Sequence, residues 1–236
     1  MVVTAAAQGL PVLRVGTRGS RLALTQTTTA ARAVAAAGGL EPELVTIRTE
    51  GDVLTGPLSQ MGGTGVFATA LRAALLAGSV DLAVHSLKDL PTAPVPGLEV
   101  AAVPEREDPR DALCARDGLT LAGLPAGAKV GTGSPRRAAQ VRAARPDLEI
   151  VDIRGNVGTR LGRVAPGDLD AVVLAASGLR RLGLEDAITE LIDPSVMLPA
   201  PGRAPWPSSA APRTPRGTPR SPPPSPRWTT WRPAWP

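Results

Sequence analysis

The sequence predicts an α/β protein of two domains with mainly parallel sheets, followed by a Pro/Arg-rich tail. Three observations predict it. Short apolar β-type runs alternate with Ala/Leu-rich helical runs across short connections, the rhythm of parallel sheets covered by helices. The 236 residues are enough for two ordinary domains. The apolar fraction is 43% with only 2% aromatic, and all four tryptophans (Trp206, Trp228, Trp231, Trp235) lie beyond residue 202. The body must therefore build its core from Ala, Val, Leu and Ile around a single Phe67, which suits helices packed closely on strands. The expected division is residues 1–104, residues 105–202, and a disordered tail over 203–236.

In order along the chain, VLRVG (12–16) reads as a strand, and TRGS follows as a turn. Ser20 caps a long helix that stops at Gly38-Gly39. ELVTIR (43–48) alternates as a strand should. The stretch GDVLTGPLSQMGGTG is Gly-rich and aperiodic, hence a loop. A helix from about Val66 to Ala77 is expected to carry Leu71, Leu75 and Leu76 on one face. VDLAVHS reads as a buried strand. Later, KVGTG precedes a helix starting near Ser134, EIVDIRGN is strand then turn with a helix over roughly 157–164, and DAVVLAASG is an apolar strand leading into a helix.

In parallel α/β sheets, ligands bind beyond the C-terminal ends of the strands. Those ends carry TRGS, HSLKD, GTGSPRR, IRGN and ASG. Arg18, Arg136, Arg137, Arg154 and Arg160 sit in or just after these turns, where a guanidinium can take a carboxylate or phosphate in a planar fork. Ser20 and Ser134 stand at helix starts, whose free N–H groups favour anions. Each Arg alone is better explained by a local salt bridge or a loop contact. Five together predict a ligand with several negative groups, and without GxxxxGK[ST] or GxGxxG a nucleotide is not the natural choice.

Lys88 and Asp89 are adjacent at the end of an apolar strand. A carboxylate beside cations stays ionised and can stabilise a developing positive charge or move a proton. His85, the one histidine, reads as a packing residue. Cys114, the one cysteine, reads as a small core residue, so neither an internal disulfide nor a Cys- or His-rich metal site is expected.

The segments LRVGTRGSRLAL (13–24), VHSLKDLPT (84–92), REDPRDAL (106–113), VGTGSPRRAAQ (130–140), DIRGNVGTRL (152–161) and LAASGLRRLGL (174–184) are similar, in order and spacing, to the porphobilinogen deaminase (hydroxymethylbilane synthase) family. The resemblance covers residues 12–202. It implies two periplasmic-binding-protein-like domains around a cleft, and a transferase of porphyrin and haem biosynthesis that condenses porphobilinogen head to tail into the tetrapyrrole hydroxymethylbilane, releasing ammonia. It implies Asp89 as the catalytic carboxylate, with Arg18, Arg154 and Arg160 managing the reacting substrate and chain. Ser20, Ser86, Lys88, Thr132, Ser134, Arg136 and Arg137 would hold the carboxylates of a dipyrromethane cofactor. GGTGVF (62–67) corresponds to a mobile cover, with Thr64 where Lys is common.

The family has a third, α+β domain whose cysteine carries the cofactor. This sequence departs from the family after MLPAPG (197–202), where the family continues QGAL. Six Arg, no Asp or Glu and eleven of the 26 prolines fall in residues 203–236. RAPWPSS (203–209) can be encoded by AGG GCG CCC TGG CCG TCG AGT, and one C restored before it gives Gln-Gly-Ala-Leu-Ala-Val-Glu. A one-nucleotide frameshift near codon 203 is therefore expected. The first domain would lose its returning strand, the cofactor cysteine would be absent, and the chain as written would be impaired.

The net charge of +5 belongs to this tail: without it, 20 of the 26 basic side chains face 21 acidic ones. No nucleic-acid surface is expected for the body. The N-terminus lacks a basic and apolar leader and no run approaches a membrane span, so a cytoplasmic protein is expected, and the resemblance implies a monomer acting on a small molecule. The alternative is a non-enzymatic carboxylate-binding protein of the periplasmic-binding type.

Overall fold

Val12–Thr17 (β1) lies between two parallel neighbours, Glu41–Thr46 (β2) and Leu82–Val84 (β3), and its last three residues are buried. The structure, a computed structural model, describes residues 10–49, 68–164 and 168–202, and the backbone of Ser208–Ala210. Between β1 and β2 runs Arg21–Gly38 (α1), which ends where Gly39 takes φ 62, a left-handed conformation that glycine adopts without strain. Thr69–Leu76 (α2) precedes β3, and Glu99–Ala102 (β4) follows it. β2 begins two residues before the expected start and admits Pro42, because at the sheet edge the missing N–H faces away from the ladder.

α2 is shorter than expected. Leu71 and Leu75 are buried one turn apart, whereas Leu76 is 55% exposed, since one further residue rotates it about 100° off the buried stripe. Side chains on β3 alternate as a strand requires. Leu82 and Val84 meet Val15, Ala30 and Ala31 on the α1 side, and Ala83 meets Leu71, Leu75 and Val80 on the α2 side.

The second sheet comprises Asp111–Ala115 (β5), Lys129–Gly131 (β6), Glu149–Val151 (β7), Ala171–Ala175 (β8) and Glu190–Leu191 (β9), in the order β7-β6-β8-β5-β9. Pro135–Ala144 (α3) follows β6, Val157–Leu161 (α4) follows β7, and Ala176–Arg181 (α5) follows β8. One face buries Leu113, Val130, Val141 and Val173; the other buries Ala112, Cys114, Ile153, Val172 and Leu174. Helix cover on both faces explains why these strands are apolar without alternation. No helix among the described residues is long and apolar enough to cross a membrane.

Ser208–Ala210 (β10) corrects one expectation. The first sheet does have a returning strand: β10 lies antiparallel between β3 and β4, giving the order β2-β1-β3-β10-β4. Small residues can fill this slot because the ladder is made by backbone groups, whatever the side chains. The rest of 203–236, and its expected disorder, lies outside the described residues. In each sheet four strands point one way and one, β10 or β5, is reversed.

Candidate functional site

The chain turns away from the first sheet at two neighbouring points, the C-terminal ends of β1 and β3. After β1, Thr27 of α1 donates a buried hydrogen bond of 2.8 Å to Thr17 Oγ1, which itself donates to the Arg18 carbonyl at 3.2 Å. This fixes the backbone that presents half-buried Arg18. Ser20 Oγ accepts from the Ala23 N–H at 3.3 Å and caps α1. A capping hydroxyl accepts through its oxygen and keeps its own hydrogen to donate.

After β3, Ser86 donates to Gln26 Oε1 at 3.5 Å, and residues Leu87–Asp89 form one 3₁₀ turn closed by Asp89 N–H to the Ser86 carbonyl. Lys88 and Asp89 stand exposed on that turn. His85 is buried, and its Nε2 has no hydrogen-bond partner. Burial, then the charges of Arg72 and Arg18, pull its pKa down to about 4, so the ring is neutral at pH 7.

At the end of β6, Thr132 Oγ1 accepts from the Ser134 N–H at 3.2 Å, and Ser134 Oγ accepts from the Arg137 N–H at 3.5 Å to cap α3. Gly133 passes so close to the Ile153 carbonyl oxygen that a Cβ there would collide with it. Arg137 is buried; its Nε and Nη2 reach Asp111 Oδ1 at 2.9 and 2.8 Å, and its Nη1 donates to the Val173 carbonyl at 2.9 Å. Burial lowers its pKa and Asp111 opposes the shift. Arg136 Nη2 takes Asp111 Oδ2 at 2.6 Å, while Nη1 donates to the Leu198 carbonyl. In the next turn Arg160 Nε donates to the Gly155 carbonyl at 2.8 Å. Burial lowers its pKa, Asp152 opposes this, and neighbouring Arg154 adds to it. Half-buried Arg154 stands on the same turn.

The two groups of strand ends are brought toward each other by α1 and α5: Leu22 lies 3.6 Å from where a Cβ on Gly178 would sit. The expected site residues thus fall in two groups, Arg18, Ser20, Ser86, Lys88 and Asp89 at strand ends of the first sheet, and Thr132, Ser134, Arg136, Arg137, Arg154 and Arg160 at strand ends of the second. The GGTGVF segment and Thr64 lie outside the described residues. Lys88 also lines a cavity of about 770 Å³ with Arg72, Leu87, Val95 and Gly202.

Asp111, the shared partner of two of the arginines, is absent from the sequence-predicted site. The signal for it was an acidic residue opening a strand that is otherwise apolar. Two of the sequence motifs serve each other: Arg180 of LAASGLRRLGL reaches Asp108 at 3.2 Å and Arg181 reaches Glu107 at 2.9 Å, both in REDPRDAL.

Residues 13–205 match the family model described as porphobilinogen deaminase, dipyromethane cofactor binding domain. The chain is 66% identical over 207 residues to the porphobilinogen deaminase of Micrococcus luteus, covering 81% of this chain and 55% of that protein. It is 66% identical over 191 residues to that of Leifsonia xyli subsp. xyli, covering 81% and 58%. The chain therefore spans little more than half the length of these relatives. Among solved structures, a periplasmic substrate-binding protein of an ABC transporter from Coxiella burnetii superposes with a TM-score of 0.51 at 15% identity, covering 85% of each chain, which shows the fold alone. By its motifs, its family model and its relatives, the chain belongs to the porphobilinogen deaminase family.

Proposed function

We propose that this chain forms the substrate-binding body of an enzyme that condenses porphobilinogen head to tail into hydroxymethylbilane, with loss of ammonia at each step. One observation carries the reading. Asp89 and Lys88 share an exposed turn at the end of β3, in the sheet whose helix α1 meets α5 of the second sheet, where further strand ends carry arginines. We read the two sheets as two domains, 1–104 and 105–202, and the space between the strand ends as the cleft.

Porphobilinogen carries acetate and propionate arms, which need cations and hydroxyl donors. Arg18, Arg154 and Arg160 are assigned to the arms of the reacting substrate and chain. Asp89, exposed and acceptor-only when ionised, takes the pyrrole N–H, assists protonation of the departing amine and stabilises the positive charge left on the ring. Lys88, Ser20, Ser86, Thr132, Ser134 and Arg136 suit the carboxylates of a dipyrromethane cofactor, since the capping hydroxyls retain a donor hydrogen. Arg137, held by Asp111 and the Val173 carbonyl, is assigned to the cofactor side with Arg136 as its neighbour. When bound, this group supplies the pyrrole to which the first substrate unit is joined. We place the protein in the cytoplasm as a monomer, where a single buried thiol needs no protection from oxidation.

The test is incubation with porphobilinogen, following ammonia release and the reddish absorbance that acid develops from a pyrrole adduct, together with calorimetric binding. Asp89→Asn should retain porphobilinogen binding, and in the chain with its reading frame restored it should lose ammonia release. A wild-type chain that neither binds porphobilinogen nor releases ammonia overturns the reading, and favours a carboxylate-binding protein if it binds other carboxylates instead.

A further inference from the structure

We propose that Arg72 is a carboxylate-binding residue of this site, taking one acidic arm of the bound pyrrole on the α2 side of Lys88. The inference rests on the reading above that the ligand is a pyrrole carrying carboxylates. It adds a side chain that none of the sequence motifs contains.

Arg72 is the one charged residue in α2, TALRAALL, and it is half-buried beside the buried Leu71. Other arginines of this chain meet a carboxylate: Arg14 meets Asp81, Arg116 meets Asp170, Arg145 meets Asp147 and Arg163 meets Asp168. Among the described residues, Arg72 makes no side-chain hydrogen bond or ion pair. A half-buried guanidinium with unsatisfied donors is a ready partner for an anion, which it can take in a bidentate fork.

Its surroundings point the same way. Arg72 and Lys88 line one cavity of about 770 Å³, whose walls are otherwise largely apolar through Leu87, Leu90, Val95 and Leu98. Small-molecule pockets span roughly 300–1,000 Å³ and combine apolar walls with a few placed polar groups. The acidic residue in this lining is Glu99, which is exposed. A pyrrole ring suits the apolar wall and its arms suit the two cations.

His85 is a neighbour of Arg72, although it does not line this cavity. It continues β3 on the side of Ala83, the face covered by α2, and it feels the charge of Arg72. Its Nε2 is the one buried side-chain nitrogen or oxygen, among the described residues, without a hydrogen-bond partner.

The experiment compares wild type, Arg72→Gln and Arg72→Lys by calorimetry with two probes, porphobilinogen and its dimethyl ester, in which both arms are neutral. Arg72→Gln should bind porphobilinogen about tenfold more weakly, as expected for one lost charge-assisted contact. Arg72→Lys should recover part of that loss, and all three proteins should bind the ester alike. Unchanged porphobilinogen affinity in Arg72→Gln overturns the role of Arg72 and leaves the proposed function standing. An equal loss for acid and ester shows that Arg72 only supports the fold, which also overturns the inference. A wild-type chain that binds no porphobilinogen overturns the function, and the role of Arg72 falls with it.

Discussion

Arg137 Nη2 stands 2.8 Å from Asp111 Oδ1, with the acid fully buried and the guanidinium side chain 7% exposed. Arg136 holds the second oxygen, so one carboxylate is shared by two cations at the start of α3. Removing one partner of a buried pair leaves the other charge uncompensated and typically costs about 3–5 kcal/mol. Asp111→Ala should therefore lower the urea midpoint strongly, and adding Arg137→Met should recover much of the loss. A midpoint that does not move in the single variant would contradict this role.

His85 makes stability depend on pH. Unfolded, the ring titrates near 6.5; folded, it titrates at about 4, because burial and then the charges of Arg72 and Arg18 disfavour its protonation. Between those values the unfolded chain binds more protons. The contribution is fully present above pH 6.5 and is lost as the pH falls toward 4, a swing of order 3 kcal/mol. Urea titrations at pH 7.5, 5.5 and 4.5 should show this slope in wild type and a shallower one in His85→Gln.

Gly133 links the Thr132 hydroxyl to the cap of α3 where it passes the Ile153 carbonyl. Gly133→Ala must push apart the β6 and β7 strand ends, at a cost of roughly 1–3 kcal/mol for overpacking. Because both turns carry site residues, porphobilinogen affinity should fall along with the melting temperature. A variant that melts like wild type would mean that the turns can separate freely.

Cys114 is buried on β5, and burial pushes its thiol up to about 12. Since the thiolate is the reactive form, the native chain should resist iodoacetamide at pH 8, whereas urea-unfolded chain should take up one equivalent. Mass spectrometry reads both. Rapid native labelling would show that β5 opens to solvent.

Resequencing the gene across codons 195–240 tests the reading frame. We expect a C near codon 203, which would place Val and Glu where Ser208 and Ser209 now pair with β3 and β4. Valine favours a strand more than serine does, so the restored chain should be the more stable. An unchanged sequence would rule out a sequencing error.

Much of the fold was legible because its signals are local. Ser20 and Ser134 announce helix starts, and the runs around Val84 and Val173 announce buried strands. The positions of Arg18, Lys88, Asp89 and Arg136 at strand ends could be read for the same reason. The pairing of Arg136 and Arg137 with Asp111 could not, because it joins residues 25 and 26 positions apart through the fold. Arg72 was hidden differently: its helix belongs to no strand end, and only packing against β3 brings it near His85. The strand at Ser208–Ala210 contradicts its composition, since the slot is set by the two strands already waiting for it.

That late strand has a consequence during synthesis. The strands of the second sheet run uninterrupted from Asp111 to Leu191, so the ribosome delivers them as a whole. The first sheet cannot close between β3 and β4 until Ser208–Ala210 has emerged, long after Ala102. At translation speeds of about 10 residues per second, that wait is on the order of ten seconds. For that time β3 and β4 present unpaired edges, open to strands of other nascent chains. The half of the molecule that is made first is thus the last to be finished.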